Sequence, residues 1–188
     1  KKYHVWALGD VHFDDDLTQQ LLDKGVTQEE IVMNDGYTCE GVMLDEMLQY
    51  WESNFPAYIT GWNTGGFDMP YLANRLQRLG LNPGRLSPWG SVYVRDNEFQ
   101  GRTEYKCFIG GVENLDYIEL YKKHRFITRE SYKLDFIGEI EGVCGKLDFG
   151  DDANNLRTLH KVNFSKHVAY NIVDVRIVQG LDDVLGFL

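Results

Sequence analysis

Two residues on one predicted helix could carry metal or phosphate chemistry. Asp174 lies inside a long apolar helical pattern, and Tyr170 precedes it by one turn, so the two side chains share a helix face. A buried carboxylate is costly unless it is paired, hydrogen-bonded or bound to a metal. A tyrosine hydroxyl beside a metal-binding aspartate could position a water or a phosphate oxygen. The alternative is a structural Asp174 bonded to Arg176 or to nearby backbone, and the residues alone leave both interpretations open.

A second candidate acid, Asp68, follows a glycine-rich turn. The turn comes directly after a predicted strand over residues 57–62, and a helix is predicted to begin at Asp68-Met69-Pro70. Strand-to-helix corners of this kind are where α/β folds build their sites. A helix N-cap is the commoner role for an aspartate at such a position. The turn is not a phosphate-binding loop, because it lacks the spaced glycines and the Lys-Ser/Thr ending.

Two acidic motifs near the start of the chain carry weaker signals. Gly9-Asp10-Val11-His12 resembles the opening motif of metallophosphoesterases, but the later motifs of that family are absent. Asp10 and His12 are therefore predicted to be strand-end and turn residues. The acidic run of residues 14–16 could hold Ca²⁺, yet it lacks the ligand spacing of a calcium loop and is predicted to be a solvated turn.

The elements that must position these residues alternate between strands and helices, which favours an α/β fold over an all-α or all-β one. Gly110-Gly111 is typical of a tight hairpin turn. Strands are predicted over residues 3–8, 31–33, 57–62, 91–94 and 105–109, and helices over 40–54, 68–79, 117–123, 131–140 and 164–185.

Composition narrows the classes of protein. The 188 residues carry a net charge of −10 and are 43% hydrophobic, as expected for a globular protein and not for a disordered one. No apolar run is long enough to span a bilayer. The acidic balance argues against nucleic-acid binding by bulk electrostatics, but not against a nuclease site in which carboxylates hold metal ions. Cys39, Cys107 and Cys144 form neither a zinc nor a disulfide pattern, which indicates a reducing compartment.

Several segments together resemble family B DNA polymerases. Residues 59–63, 67–71 and 74–75 resemble the second exonuclease motif, and Tyr170-Asn171-Ile172-Val173-Asp174 resembles the third, Tyr-x-x-x-Asp. Segments 86–88, 115–123 and 145–147 resemble the branch found in T-even-like tailed phages. The third motif is weak alone, but the ordered set covers nearly the whole chain and is specific.

The resemblance implies a ribonuclease H-like 3′–5′ exonuclease domain, with a mixed sheet flanked by helices. It also implies two divalent ions, usually Mg²⁺ with Mn²⁺ as a substitute, that promote attack of water on the terminal phosphodiester. By resemblance, Asp174 is a direct metal ligand, Asp68 serves the second metal partly through water, and Tyr170 orients the attacking water.

The same resemblance implies roles in DNA binding. Asn63 and Phe67 would shape the site around a frayed 3′ end, and Lys146 matches a lysine that reaches the site in the phage branch. The implied partners are a single-stranded 3′ end of a primer-template, the remainder of a polymerase chain and a sliding clamp, with no membrane. The implied location is the cytoplasm of an infected bacterial host.

One part of the family pattern is missing. The first exonuclease motif, Asp-x-Glu, should precede the strand that begins at Tyr3, and no such motif occurs at a suitable place near the N-terminus. We therefore expect residues 1–188 to be a single exonuclease domain that lacks its N-terminal strands and is inactive alone, within a parent polymerase that is active. The alternative is a non-catalytic domain of the same fold that binds DNA or a replisome partner.

Overall fold

A computed structural model describes residues 1–99, 102–143, 145, 147 and 156–188. Cys144 and Lys146 lie outside the described residues. The chain divides into two units: a two-segment unit of residues 1–38 with 129–188, and a contiguous unit of residues 39–128. The elements, in chain order, are β1 (Tyr3–Leu8), α1 (Asp15–Asp23), β2 (Ile31–Tyr37), α2 (Glu40–Ser53), β3 (Tyr58–Ile59), α3 (Met69–Arg78), β4 (Val92–Phe99), β5 (Arg102–Ile109), β6 (Glu113–Asn114), α4 (Tyr117–His124), α5 (Leu134–Ile140), α6 (Leu156–Val162) and α7 (Phe164–Leu185).

The two-segment unit is organised around α7. This helix contacts α1, α5 and α6. It begins after Asn163, whose side chain accepts a hydrogen bond from the Lys166 amide, and it ends at Gly186, which has a positive φ of 64°. Its buried residues include Val168, Ala169, Tyr170, Ile172, Val173, Ile177, Val178, Gly180 and Leu181.

Val175 lies on a face of α7 that is not buried. The Val175 side chain is 52% exposed, so the helix face that carries it is in contact with solvent although valine is apolar. The buried residues on the opposite faces account for the position of the helix, because a broad apolar stripe is enough to bury one side.

The strands of this unit are β1 and β2, which pair in parallel. Tyr3 lies opposite Ile31, and the register shifts between Trp6 and Leu8. Helix α1 connects the strands, as a parallel pair requires a crossover. On the α7 side, the Tyr3 hydroxyl donates a hydrogen bond to Gln179 Oε1 at 2.8 Å.

In the contiguous unit, α3 packs against β5, and α2 packs against the short helical turn Pro83–Leu86. Two arginines tie its helical segments together: Arg75 of α3 pairs with Glu40 of α2, and Arg85 pairs with both Asp45 and Glu52 of α2. The core consists of Leu44, Leu48, Met69, Ala73, Leu76, Leu86, Cys107, Ile109 and Val112.

Strand pairing in the contiguous unit is of both kinds. Strands β3 and β6 are parallel, with Tyr58 opposite Glu113. Strands β4 and β5 are antiparallel, from Val92 opposite Ile109 to Phe99 opposite Arg102. Parallel and antiparallel pairs with accompanying helices confirm the predicted α/β class.

Several predicted boundaries are wrong for local reasons. The acidic run predicted to be a solvated turn instead starts α1, because Asp14 Oδ1 accepts a hydrogen bond from the Leu17 amide at 2.8 Å. The strand predicted over 57–62 is only Tyr58–Ile59, since the chain soon enters a left-handed conformation at Asn63. Helix α5 starts at Leu134 and not at Ser131.

The glycine pair is a turn, as predicted, but it does not join two long strands. Gly111 has a φ of 82°, and Ile109 forms an isolated antiparallel bridge to Val112 across the turn. The longer hairpin is the one between β4 and β5. Helix α6 was not predicted. Among the described residues, no helix combines the length and the hydropathy that a membrane span requires.

Candidate functional site

The glycine-rich turn between β3 and α3 carries three of the predicted site residues. Asn63 adopts the left-handed conformation with φ 67°, and residues Thr64–Asp68 form one wide helical turn. The Phe67 amide donates to the Asn63 carbonyl at 3.0 Å, which closes the turn. A Cβ atom on Gly66 would lie 2.8 Å from Asn63 Oδ1, so any larger residue there would displace the Asn63 side chain.

A side chain from far along the sequence holds this turn. Asp116 Oδ1 accepts a hydrogen bond from the Asn63 amide at 2.8 Å, and Asp116 Oδ2 accepts one from the Gly65 amide at 2.9 Å. Asp116 Oδ1 also accepts from the Ile118 amide at 3.3 Å, which caps α4. The carboxylate therefore joins the start of α4 to the turn that ends at Asp68.

Asp68 stands where the wide turn passes into α3. Its side chain makes no capping hydrogen bond to the helix, so the N-cap alternative raised by the sequence does not hold. The side chain is exposed, but the atoms packed around the carboxylate remove part of its hydration and, with the negative charge of Asp116, raise its pKa above the usual value. A bound cation would relieve this repulsion, which fits a metal-binding role.

Two aromatic rings lie beside Asp68 on the protein surface. Phe67 is 64% exposed and Tyr71 is 60% exposed. Their ring centroids are 6.1 Å apart and the rings are nearly parallel, at 12°. Exposed aromatic faces can stack on unpaired bases, so this surface is chemically suited to a frayed strand end.

Tyr170 and Asp174 lie one turn apart on α7, as predicted. Tyr170 is 4% exposed. Asp174 is half-buried, its Oδ1 atom is enclosed, and its side chain interacts with other groups. Carboxylate oxygens are the type of donor that Mg²⁺ prefers.

The predicted site residues fall into two sets. Asn63, Phe67 and Asp68 lie together in the turn of the contiguous unit, and Tyr170 with Asp174 lies on α7 of the two-segment unit. Within the part of the chain that the structure describes, no group of three or more His, Cys, Asp or Glu side chains could hold a metal ion.

Comparison with known proteins decides the family. The family model for "DNA polymerase family B, exonuclease domain" matches residues 1–137. The chain belongs to this family. The match confirms the resemblance seen in the sequence and the ribonuclease H-like α/β fold class of the exonuclease domain.

Relatives of this exonuclease domain include two phage enzymes. The chain is 34% identical over 178 residues to the DNA-directed DNA polymerase of Enterobacteria phage T4, covering 93% of this chain and 18% of the relative. It is 36% identical over 153 residues to that of Escherichia phage RB69, covering 79% of this chain and 16% of the relative. It is also 32% identical over 112 residues to the DNA polymerase delta catalytic subunit of Candida albicans, covering 50% and 11%. The chain thus spans less than a fifth of the length of these relatives.

Asp116 is the residue of the exonuclease domain that sequence reasoning missed. The sequence places Asp116 in segment 115–123, which resembles the phage branch of the family, but it indicates no role for this residue in the site. Its position before Tyr117–His124 is a recognisable N-cap signal, and this signal predicts the bond to Ile118. The bonds to Asn63 and Gly65 had no signal in the sequence, because they join residues 53 and 51 positions apart.

Proposed function

We propose that this chain is the proofreading 3′–5′ exonuclease domain of a replicative DNA-directed DNA polymerase. The observation that carries the proposal is the family match over residues 1–137, in a chain whose second and third exonuclease motifs keep Asp68, Tyr170 and Asp174. The substrate would be the 3′-terminal phosphodiester of single-stranded DNA frayed from a primer-template.

In this proposal, Asp68 and Asp174 hold two divalent ions, Mg²⁺ or Mn²⁺. When bound, such ions activate a water and stabilise the leaving 3′ oxygen. The negative charge of Asp116 near Asp68 and the half-burial of Asp174 support this assignment. Both residues supply oxygen donors, which suits hard divalent cations.

The remaining site residues would bind and orient. The Tyr170 hydroxyl would orient the attacking water, and its burial would fix the ring in one position. The exposed ring of Phe67 would stack on the terminal base, and Asn63 would contact the same strand end. Lys146 would contact DNA phosphate, although it lies outside the described residues.

The wider setting is also a proposal. The named polymerase relatives are more than five times as long as this chain, so the other partner of this domain would be the remainder of a polymerase chain. A sliding clamp is a further proposed partner, and the cytoplasm of an infected bacterial host is the proposed location. The 188 residues hold two of the implied carboxylates, and we propose that the isolated chain does not degrade DNA.

The test uses the full-length protein that contains this chain. Removal of 3′ nucleotides from a 5′-labelled single-stranded oligonucleotide would be measured with Mg²⁺, alongside primer extension. Asp68→Ala and Asp174→Ala should each lower the exonuclease rate by about 10²-fold or more, and leave primer extension unchanged. Glu113→Gln, which changes an exposed acid of the contiguous unit, is the matched control.

The outcomes separate the two functional classes. If both alanine variants degrade DNA at the wild-type rate, the exonuclease proposal is wrong for these residues. If the wild-type protein extends primers but removes no 3′ nucleotides, the non-catalytic binding domain is the better explanation. Degradation of DNA by the isolated chain, abolished by Asp174→Ala, would refute the proposal that the chain is inactive alone.

A further inference from the structure

We propose that Asp116 is a positioning residue of the exonuclease site, which sets the conformation of the turn that presents Asn63, Phe67 and Asp68. This inference rests on the proposed function, because it concerns the geometry of a residue proposed to bind metal. Asp116 itself would touch neither substrate nor metal.

The hydrogen bonds of the carboxylate define this role. Each oxygen of Asp116 accepts one backbone amide of the turn, from Asn63 at 2.8 Å and from Gly65 at 2.9 Å. These two amides belong to the residues on either side of Thr64, the first residue of the wide turn, so the Asp116 carboxylate fixes the backbone before and after Thr64. The conformation of Asn63 is one that non-glycine residues seldom adopt, and a fixed external acceptor offsets its cost.

Neighbouring contacts hold the same two segments together. The Thr64 hydroxyl donates to Asn114 Oδ1 at 3.0 Å, and the Tyr117 amide donates to the Gly61 carbonyl at 2.8 Å. Tyr117 is fully buried, so the start of α4 is a rigid support for the turn. Asp116 therefore fixes the position of the exposed turn relative to the packed start of α4.

Helix capping alone does not explain the choice of an aspartate. The bond from Asp116 to the α4 amide of Ile118 is the longest of the three, at 3.3 Å. A cap requires one oxygen, and asparagine and serine serve as N-caps about as well as aspartate. The turn requires two acceptor oxygens, and only a carboxylate of this length supplies both.

Because the turn needs two acceptor oxygens and the cap needs only one, substitutions of Asp116 can separate the two roles. Asp116→Asn and Asp116→Ser keep a capping oxygen for α4 but leave one turn amide without its acceptor. In the full-length protein, we expect each variant to lower the exonuclease kcat by about 10–100-fold, as for an active-site misplacement of about 1 Å. The primer-extension rate should change by less than about twofold.

A measurement without turnover accompanies the rates. Binding of Mn²⁺ alone, followed by electron paramagnetic resonance, should weaken by about tenfold in Asp116→Asn if the turn presents a metal ligand. Asp68→Ala should weaken it in the same assay. Glu113→Gln removes a charge from the same segment and should match the wild type in every measurement.

The outcomes distinguish this inference from the proposed function. If the wild-type protein removes no 3′ nucleotides, the proposed function fails; if Asp68→Ala retains wild-type exonuclease activity, the role of Asp68 fails and the inference fails with it. If Asp68→Ala abolishes activity while Asp116→Asn stays within about twofold of the wild type in kcat, the function stands and the role of Asp116 is refuted. Equal losses of exonuclease and polymerase activity with a lower Tm in both Asp116 variants would show a folding role only, and would also refute it.

Discussion

The substitution Gly61→Ala tests how tightly the turn between β3 and α3 is built. A Cβ atom on Gly61 would lie 2.3 Å from Thr64 Cγ2. Carbon atoms in contact prefer about 3.5–4.0 Å, so the two groups cannot both stay in place. Thr64 has little freedom to move, because it is branched at Cβ and its hydroxyl bonds to Asn114.

The magnitude follows from these contacts. Forcing an extra methyl group into a filled site costs about 1–3 kcal/mol, and rotating Thr64 instead would give up a hydrogen bond of about 1 kcal/mol. Replacing glycine with alanine also restricts the unfolded chain, which offsets about 0.4–1 kcal/mol. The turn should therefore lose about 1–2 kcal/mol of local stability in Gly61→Ala.

Hydrogen exchange in the full-length protein measures this loss directly. A local destabilisation of 1–2 kcal/mol raises the exchange rate of the affected amides by about 5–30-fold. The amides of Asn63 and Gly65 are the reporters, because both donate to Asp116. Peptides covering residues 60–72 would be compared between the wild type and Gly61→Ala by mass spectrometry.

The matched control lies in the same turn. A Cβ atom on Gly65 would meet its nearest neighbours, Asn114 Nδ2 and Asp116 Oδ2, at 3.4 Å, which is an ordinary contact. Gly65→Ala should therefore leave exchange unchanged or slow it slightly. Wild-type exchange in Gly61→Ala, or faster exchange in Gly65→Ala than in Gly61→Ala, would refute this account of the turn.

Three further predictions concern the core and two carboxyl groups of the contiguous unit. Leu76→Ala empties a fully buried site and should cost about 2–5 kcal/mol in urea unfolding, whereas truncation of the exposed Val42 should cost less than about 0.5 kcal/mol. Arg75 lowers the pKa of Glu40 through a hydrogen bond, so the pair stabilises the fold at pH values above the carboxyl pKa of the unfolded chain. This contribution is lost as the pH falls through the carboxyl pKa of the folded protein. Arg75→Met should therefore lower the urea midpoint more at neutral pH than at pH about 2. Burial and, after it, the charge of Asp116 raise the pKa of Asp68, so the protein loses stability as the pH rises through the pKa that Asp68 has in the folded state. Asp68→Asn should therefore have a higher Tm than the wild type at neutral pH in EDTA. The difference in Tm should vanish below the pKa that Asp68 has in the unfolded chain.

Local signals made the long elements predictable from the sequence. Helix α7 has the predicted bounds because an apolar pattern, the Asn163 cap and the left-handed Gly186 all agree. Strand β1 likewise has the predicted bounds. The acidic run of residues 14–16 does not by itself predict α1, because acidic residues are common in solvated turns and also stabilise the first turn of a helix.

The candidate site was predictable only where its residues are adjacent in the chain. The turn at Asn63–Asp68 and the pair Tyr170 and Asp174 follow from motifs of a few residues. Burial and, after it, the charge of Asp116 raise the pKa of Asp68, and the parallel pairing of β3 with β6 brings the segments of these two acids together. A periodicity argument cannot supply a contact between residues so distant in sequence.

The division into a contiguous and a two-segment unit has a consequence for synthesis on the ribosome. Residues 39–128 emerge as one uninterrupted stretch, so their core can form as soon as that stretch is complete. Residues 1–38 emerge before this stretch but share a unit with residues 129–188, so their native packing is delayed while about 90 residues are added. At about 5–20 residues per second this takes roughly 5–18 s, during which β1 and β2 lack the helix α7 that later packs in their unit. Among the 188 residues, segment 1–38 is thus synthesised before the rest of its unit and is among the last to reach its native packing.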